Sequence, residues 1–249
     1  MDRFSREVDS YEHSLSILEL IYEYDSFLDN LEVICDMGCG VGQEVKWWAT
    51  LETRDDPPEP RNYKVYAVDI KDRLDPDVRA LPNVIPIERN FEESIIPVPV
   101  DLMWCHDAFQ YAIDPIGTLK TWNSQMSQNG MLMMSVPLTV TLMNNRPTGK
   151  VYDHMYYCHT LPNLIYMLAV NGFDCRDAYF MKSPNSNWLH LAVYKSTDPM
   201  DPRTTRLFDL ADKNLLHDSV VYSLNKYGHL RQDDIIYPWL DKDFHQFMV

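Results

Sequence analysis

The residues best placed to do chemistry lie in one short stretch, VICDMGCGVG at 33–42. An apolar run ends in an acid, Asp36, and Gly38, Gly40 and Gly42 follow on alternate positions. These are three of only eight glycines in the chain. Without side chains, such a loop lets a ligand reach backbone N–H groups at the start of the helix that follows. A second acid, Asp69, ends the apolar run YKVYAVDI at 63–70. A carboxylate there can accept hydrogen bonds from a ribose diol. A dinucleotide loop reads GxGxxG and closes on a pyrophosphate. Here the order is DxGxGxG. An acid at the loop repels a pyrophosphate and suits a ligand with an ammonium group and no phosphate. The competing readings are a tight turn for the glycines, a loop cap for Asp36 and a solvated strand end for Asp69.

Strands and helices must hold these groups. Residues 10–28 recur at helical spacing through Leu15, Leu18 and Tyr22, a stripe that forms the core face of a helix. Short apolar strands are expected at 31–36, 63–70, 83–87, 101–105, 130–137, 178–181 and 188–194. Helices are expected at 43–51, 116–128, 159–170 and 206–224. The segment TRDDPPEPRN at 53–62 is too rich in proline and charge for either and reads as an exposed loop. Strands alternating with helices predict a doubly wound α/β fold, a mainly parallel sheet with helices on both faces. The chain divides into an N-terminal helical segment (1–30), a ligand-binding domain (31–198) and a C-terminal helical extension (199–249).

Bulk properties narrow the partners. The formal net charge is −15, and no Lys/Arg cluster offsets it, so neither nucleic acid nor an acidic membrane surface is an expected partner. No stretch approaches the roughly 18 apolar residues of a membrane span, and the start has no signal-peptide core. Five cysteines form no CxxC pair. Their odd number excludes a complete disulfide framework and predicts a cytoplasmic protein with reduced thiols.

Six segments in order resemble the class I S-adenosylmethionine-dependent methyltransferases, closest in look to the small-molecule type. CDMGCGVG is similar to the glycine-rich first motif and VYAVDI to the second strand with its terminal acid. ERNFEE resembles the segment that meets the adenine, and VDLMWCHDAFQYAIDP the fourth strand and its loop. NGMLMMSVP resembles the fifth strand, and LPNLIYMLAVNGFD the helix and turn before the last two strands. The match runs from about Val33 to Lys195. It implies a seven-stranded sheet with an antiparallel last strand. The implied cofactor is S-adenosyl-L-methionine, the product S-adenosyl-L-homocysteine, and the acceptor a small molecule with a nucleophilic O or N. The Pro-rich insertion sets Asp69 further from the glycines than is usual in the family. Asn90 and Tyr111 stand where relatives often have Asp and His.

The resemblance assigns Asp36, Gly38, Cys39, Gly40, Gly42, Asp69, Ile70, Asn90, Phe91 and Cys105 to the cofactor. Asp36 would orient the methionine end, and Asn90 with Phe91 would read the adenine; Phe91 as plain core is the competing reading. His106, just past the fourth strand, either takes a proton from the acceptor or shapes the pocket. Asp107 and Tyr111 are candidate acceptor contacts. So are His154, a second candidate base, and Tyr156, both in YDHMYYCH at 152–159. The five-residue spacing of His154 and His159 does not suit metal binding, and no metal is expected. The extension is expected to cover the substrate mouth or to make a subunit contact, as in a homodimer. Protein methylation and non-catalytic cofactor binding are the alternative functions.

Overall fold

The computed structural model describes residues 14, 17–18, 21–22, 25–137, 157, 159–182, 188–231 and 235–237. His154 and Tyr156 lie outside the described residues, as does most of the stretch 1–24. Helical residues at 14, 17–18 and 21–22 lead into α1 (Asp25–Leu28). Seven strands form one sheet: β1 (Val33–Met37), β2 (Lys64–Asp69), β3 (Val84–Glu88), β4 (Val100–His106), β5 (Met126–Pro137), β6 (Phe173–Lys182) and β7 (Trp188–Lys195). Their order is β3-β2-β1-β4-β5-β7-β6. The first five strands pair in parallel, and β7 runs antiparallel between β5 and β6. The seven-stranded α/β sheet with an antiparallel last strand is therefore the observed architecture. The order reverses between β1 and β4, which opens a crevice beyond their carboxyl ends.

Period-2 alternation sorts each strand onto two cores. On one face Ile34, Ala67, Leu102, Trp104 and Met133 pack under Val45 and Trp48 of α2 (Gln43–Ala49) and under Leu18 and Ile21. On the other, Cys35, Met103, Cys105 and Leu132 pack under Leu119 and Trp122 of α4 (Pro115–Gln125) and under α5 (Leu161–Val170). A short helix, α3 (Pro76–Arg79), precedes β3. Both longer helices start on an oxygen cap with proline in the first turn. Asp114 accepts from the Gly117 N–H at 2.9 Å, and Thr160 from the Asn163 N–H at 3.3 Å. Helix α4 ends at Gln125 and β5 begins at Met126, earlier than the sequence pattern suggests. The parallel partner β4 recruits Met126 opposite Val100. Among the described residues no helix is long and apolar enough to cross a membrane.

The single helix expected at 206–224 is two, α6 (Leu207–Asp212) and α7 (Asp218–Tyr227). Asn214 adopts a left-handed φ of 57° between them, and His217 caps α7 by accepting from the Ser219 N–H. The break serves the sheet edge. Leu215 O accepts from Cys175 N at 3.0 Å, and Leu216 forms a parallel bridge with Cys175 on β6. Tyr237 Oη donates to Cys175 O at 2.6 Å. The extension thus covers part of an edge strand that would otherwise offer unpaired backbone groups. Leu210, Leu216, Val220 and Leu224 join the same core as β6 and α5. Leu216→Ala should therefore cost about 2–5 kcal/mol, as for a core leucine. Urea unfolding measures it, and a loss under about 0.5 kcal/mol, the surface range, would mean that the extension is only loosely docked.

Candidate active site

The carboxyl ends of β1, β2 and β4 meet at the glycine loop. Val68 O accepts from both the Gly38 N–H (2.8 Å) and the Cys39 N–H (3.0 Å), which ties the loop to β2. Gly38 has φ of 90°, and a Cβ built there would lie 2.4 Å from Ala108 Cβ. At Gly42 a Cβ would meet Leu74 Cδ2 at 2.5 Å. Packing on Ala108 requires glycine at 38; at 42 the leucine tip can shift, and the left-handed φ of 87° is what favours glycine. Gly40 differs: its φ is 56°, and a Cβ would meet nothing within 4 Å. Of the three loop glycines only Gly40 has open space at its Cβ position among the described residues, and its N–H donates to Asp69 Oδ2 at 3.0 Å.

Asp69 is 7% exposed. Its Oδ2 also accepts from Arg73 Nη2 at 2.9 Å, and its Oδ1 accepts from the Lys71 N–H at 3.3 Å. A carboxylate offers about four lone-pair sites, so one remains, on Oδ1, for a single hydroxyl donor. Cys39 and Ile87 line a small cleft beside it, and Ile70 is exposed on the strand end. Asp36 is 2% exposed, and its Oδ2 is buried without a hydrogen-bond partner. Burial pushes its pKa well above the usual carboxylate range, and the charges of Glu44 and Asp69 push it further. Glu44, in the first turn of α2, accepts from Ser14 Oγ at 2.7 Å, and burial raises its pKa too. Three acids thus share a dry floor under the loop.

His106 ends β4 and is 8% exposed. Its ring lies between Trp104 (centroids 6.4 Å apart, planes at 17°) and Trp188 (5.9 Å, 15°). Nδ1 faces Glu44 Oε1 at 3.7 Å. That is too long for a hydrogen bond. The remaining sequence candidates have contacts of their own. The Cys105 side chain follows the period-2 rule into the opposite core, where burial raises its thiol pKa. The amide oxygen of Asn90 accepts from the Glu92 N–H at 3.1 Å. Phe91 packs on Trp122 and gives its carbonyl to Trp122 Nε1 at 3.1 Å. Asp107, at φ 52°, accepts from Gln110 Nε2, and Tyr111 sits in a 3-10 turn. Glu44, Ser14, Trp104, Trp188 and Arg73 were not singled out by the sequence. Glu44 alone carried a local signal, as an acid in the first turn after the glycines.

No family model and no curated protein matches the chain. Solved structures do match. The magnesium protoporphyrin IX methyltransferase of Synechocystis PCC 6803, with bound S-adenosylhomocysteine, aligns over 79% of this chain and 88% of its own, at TM-score 0.56 and 17% identity. The plantazolicin methyltransferase, in complex with a monoazolic desmethylplantazolicin analogue and S-adenosylhomocysteine, aligns over 78% and 89%, at 0.56 and 15%. The Burkholderia thailandensis 1,6-didemethyltoxoflavin-N1-methyltransferase, with its namesake compound and S-adenosylhomocysteine bound, aligns over 78% and 87%, at 0.53 and 15%.

The chain has the class I methyltransferase fold. In this methyltransferase fold the acid floor lies at the switch point of the sheet, where open α/β sheets bind ligands.

The raised pKa of Asp36 fixes a pH dependence. A carboxyl with a raised folded-state pKa favours the folded state below its unfolded value, about 4. The contribution is lost as pH rises toward the folded value and then levels off. Ligand-free protein should lose stability as pH climbs above about 4, and Asp36→Asn should flatten the curve. Urea midpoints across pH check this; parallel curves for both proteins would mean that Asp36 is ionised at little cost.

Proposed function

We propose that this chain is a methyltransferase that uses S-adenosylmethionine to methylate an O or N nucleophile on a small molecule. The observation that carries the reading is the buried Asp36 carboxyl, whose Oδ2 has no hydrogen-bond partner among the described residues, near the end of the strand that leads into the glycine loop. An ammonium or sulfonium cation would give Asp36 the charge partner it lacks, while a pyrophosphate would meet three acids. The bound S-adenosylhomocysteine in the structural neighbours supports the same choice.

The residues fit that cofactor. Asp69 would accept from one ribose hydroxyl on Oδ1, with Gly40 and Arg73 holding its carboxylate in place through Oδ2. Asp36, with Glu44 beside it, would draw the methionine ammonium to the loop. S-adenosylmethionine supplies a methyl group already activated by its sulfonium, so alignment with the acceptor accounts for much of the rate. His106 would take the acceptor's proton on Nε2, the nitrogen turned away from Glu44. The Glu44 carboxylate would stabilise the imidazolium so formed. The two tryptophans fix the ring's plane and exclude water from both its faces.

Calorimetry tests the cofactor. S-adenosylhomocysteine should bind and NAD should not. Asp69→Ala should weaken binding by about 1.5–3 kcal/mol, the range for a hydrogen bond to a charged group. Gly40→Ala should leave the protein folded, at a backbone cost of about 1–2 kcal/mol, yet reduce affinity. Gly38→Ala should instead lower stability through the clash with Ala108. NAD binding without a response to S-adenosylhomocysteine would end the proposal. Once an acceptor is in hand, His106→Asn should lower turnover about 10²–10⁴-fold with cofactor affinity unchanged. A raised Michaelis constant with near-normal turnover would assign His106 to pocket shape.

A further inference from the structure

A second space opens on the α2 face of the sheet, beside the acid floor. It is an apolar cavity of about 230 Å³ over β5, β7 and β6. Met131, Met133 and Met181 line it, with Ile17 and Ile21 of the N-terminal helix. Tyr179 (47% exposed) and Tyr194 (40%) stand at its open side. Among the described residues no lining side chain carries a fixed charge. The polar groups at its wall are Ser135 and His190, 2% and 6% exposed, joined by a 2.7 Å hydrogen bond between Ser135 Oγ and His190 Nδ1.

Strand register decides where that pair lies. His106 on β4 is opposite Ser135 on β5, and Ser135 is opposite His190 on β7. The three side chains form one row across the carboxyl-end part of the sheet, on the same face. Adjacent strands are about 4.8 Å apart, so Ser135 lies one strand from His106 and His190 two. Trp188, which stacks on His106, precedes His190 by two residues on the same face. The cavity's polar end therefore abuts the proposed base, and its apolar end runs away from it.

We infer that this cavity holds the methyl acceptor, an uncharged, flat, apolar molecule whose hydroxyl or amine is held by the Ser135–His190 pair next to His106. The inference rests on the methyltransferase reading. An apolar pocket with a few placed polar groups has the make-up of a small-molecule site. Its size argues for a bicyclic body, since an apolar cavity of roughly 150 Å³ already takes benzene. The lining excludes a charged acceptor, which would lose its hydration against methionines without a counter-charge. A hydroxyl side chain has one donor and two lone pairs, so Ser135 keeps hydrogen-bonding capacity beyond its bond to His190.

Calorimetry with 2-naphthol and naphthalene, each with and without S-adenosylhomocysteine, tests this. The expected result is one 2-naphthol per chain, bound more tightly than naphthalene. Ala192→Phe, which puts a ring into the cavity, should abolish binding of both probes, with Met181→Trp as a second filling variant. Ser135→Ala and His190→Phe should weaken 2-naphthol about tenfold, the scale of one hydrogen bond, and leave naphthalene unchanged. S-adenosylhomocysteine binding should be the same in all four variants. Failure of either probe to bind, equal affinity for the two, or binding that survives both filling variants would overturn the inference. A wild-type dimer that Ala192→Phe disperses, with no probe bound, would assign the face to a second copy of the chain. If the probes behave as expected but S-adenosylhomocysteine does not bind, the cavity stands as a ligand site and the methyltransferase reading falls.

Discussion

A carboxylate held out of water at the end of the central strand sets the terms for the rest of this site. Asp36 is fixed by β1, whose pairing with β2 and β4 on either side leaves it no freedom to reach solvent. A buried carboxylate without a charge partner is costly and shifts toward its neutral form. Here the neighbours sharpen the penalty, because Glu44 and Asp69 are acids as well. The free protein therefore carries a local conflict at the spot where the sheet order reverses. Such conflicts persist at functional sites, where a ligand resolves them. A cation is the ligand that resolves this one.

The glycine loop follows from the same geometry, although its three glycines answer to different demands. Gly38 lets Ala108, from the turn after β4, come against β1. Gly42 admits Leu74 from the segment after β2. Those contacts draw the carboxyl ends of three strands together and leave Gly40 at the mouth. Backbone N–H groups at 38 and 39 are spent on Val68 O and tie the loop down. The Gly40 N–H instead holds Asp69 toward the opening. Two glycines build the crevice, and the third faces it.

Much of this was legible in the sequence because it is local. Asp36, the glycines and Asp69 sit at strand ends that apolar runs mark clearly, and the α/β alternation fixed the seven strands. What escaped depends on facing and register. Cys105 adjoins His106 in sequence, yet the period-2 pleat turns it into the opposite core. Ser135 is a lone hydroxyl in MLMMSVP and His190 a lone imidazole in WLHLAVYK. Only the antiparallel pairing of β5 with β7 makes them partners. Glu44 acquires its place through Ser14, thirty residues earlier on another helix. The extension read as an appendage because its helices carry their own pattern, while its docking on β6 depends on tertiary contacts: the backbone bridge at Cys175, the Tyr237 hydroxyl and the buried leucines.

His106 links the two halves of the site. Toward β1 it faces Glu44, and through it the acid floor. Toward β5 and β7 it shares a row with Ser135 and His190. The imidazole thus stands at the boundary between a charged, oxygen-lined pocket and an uncharged, sulfur- and carbon-lined one. The proposed reaction, between a cationic donor and an apolar acceptor, would use that boundary, because each reactant is held best where the other would be poorly solvated. The sheet supplies it without any added domain. Acids cluster where β1 and β2 end under α2, methionines where β5 meets the antiparallel β7, and β4 between them ends in the imidazole of His106.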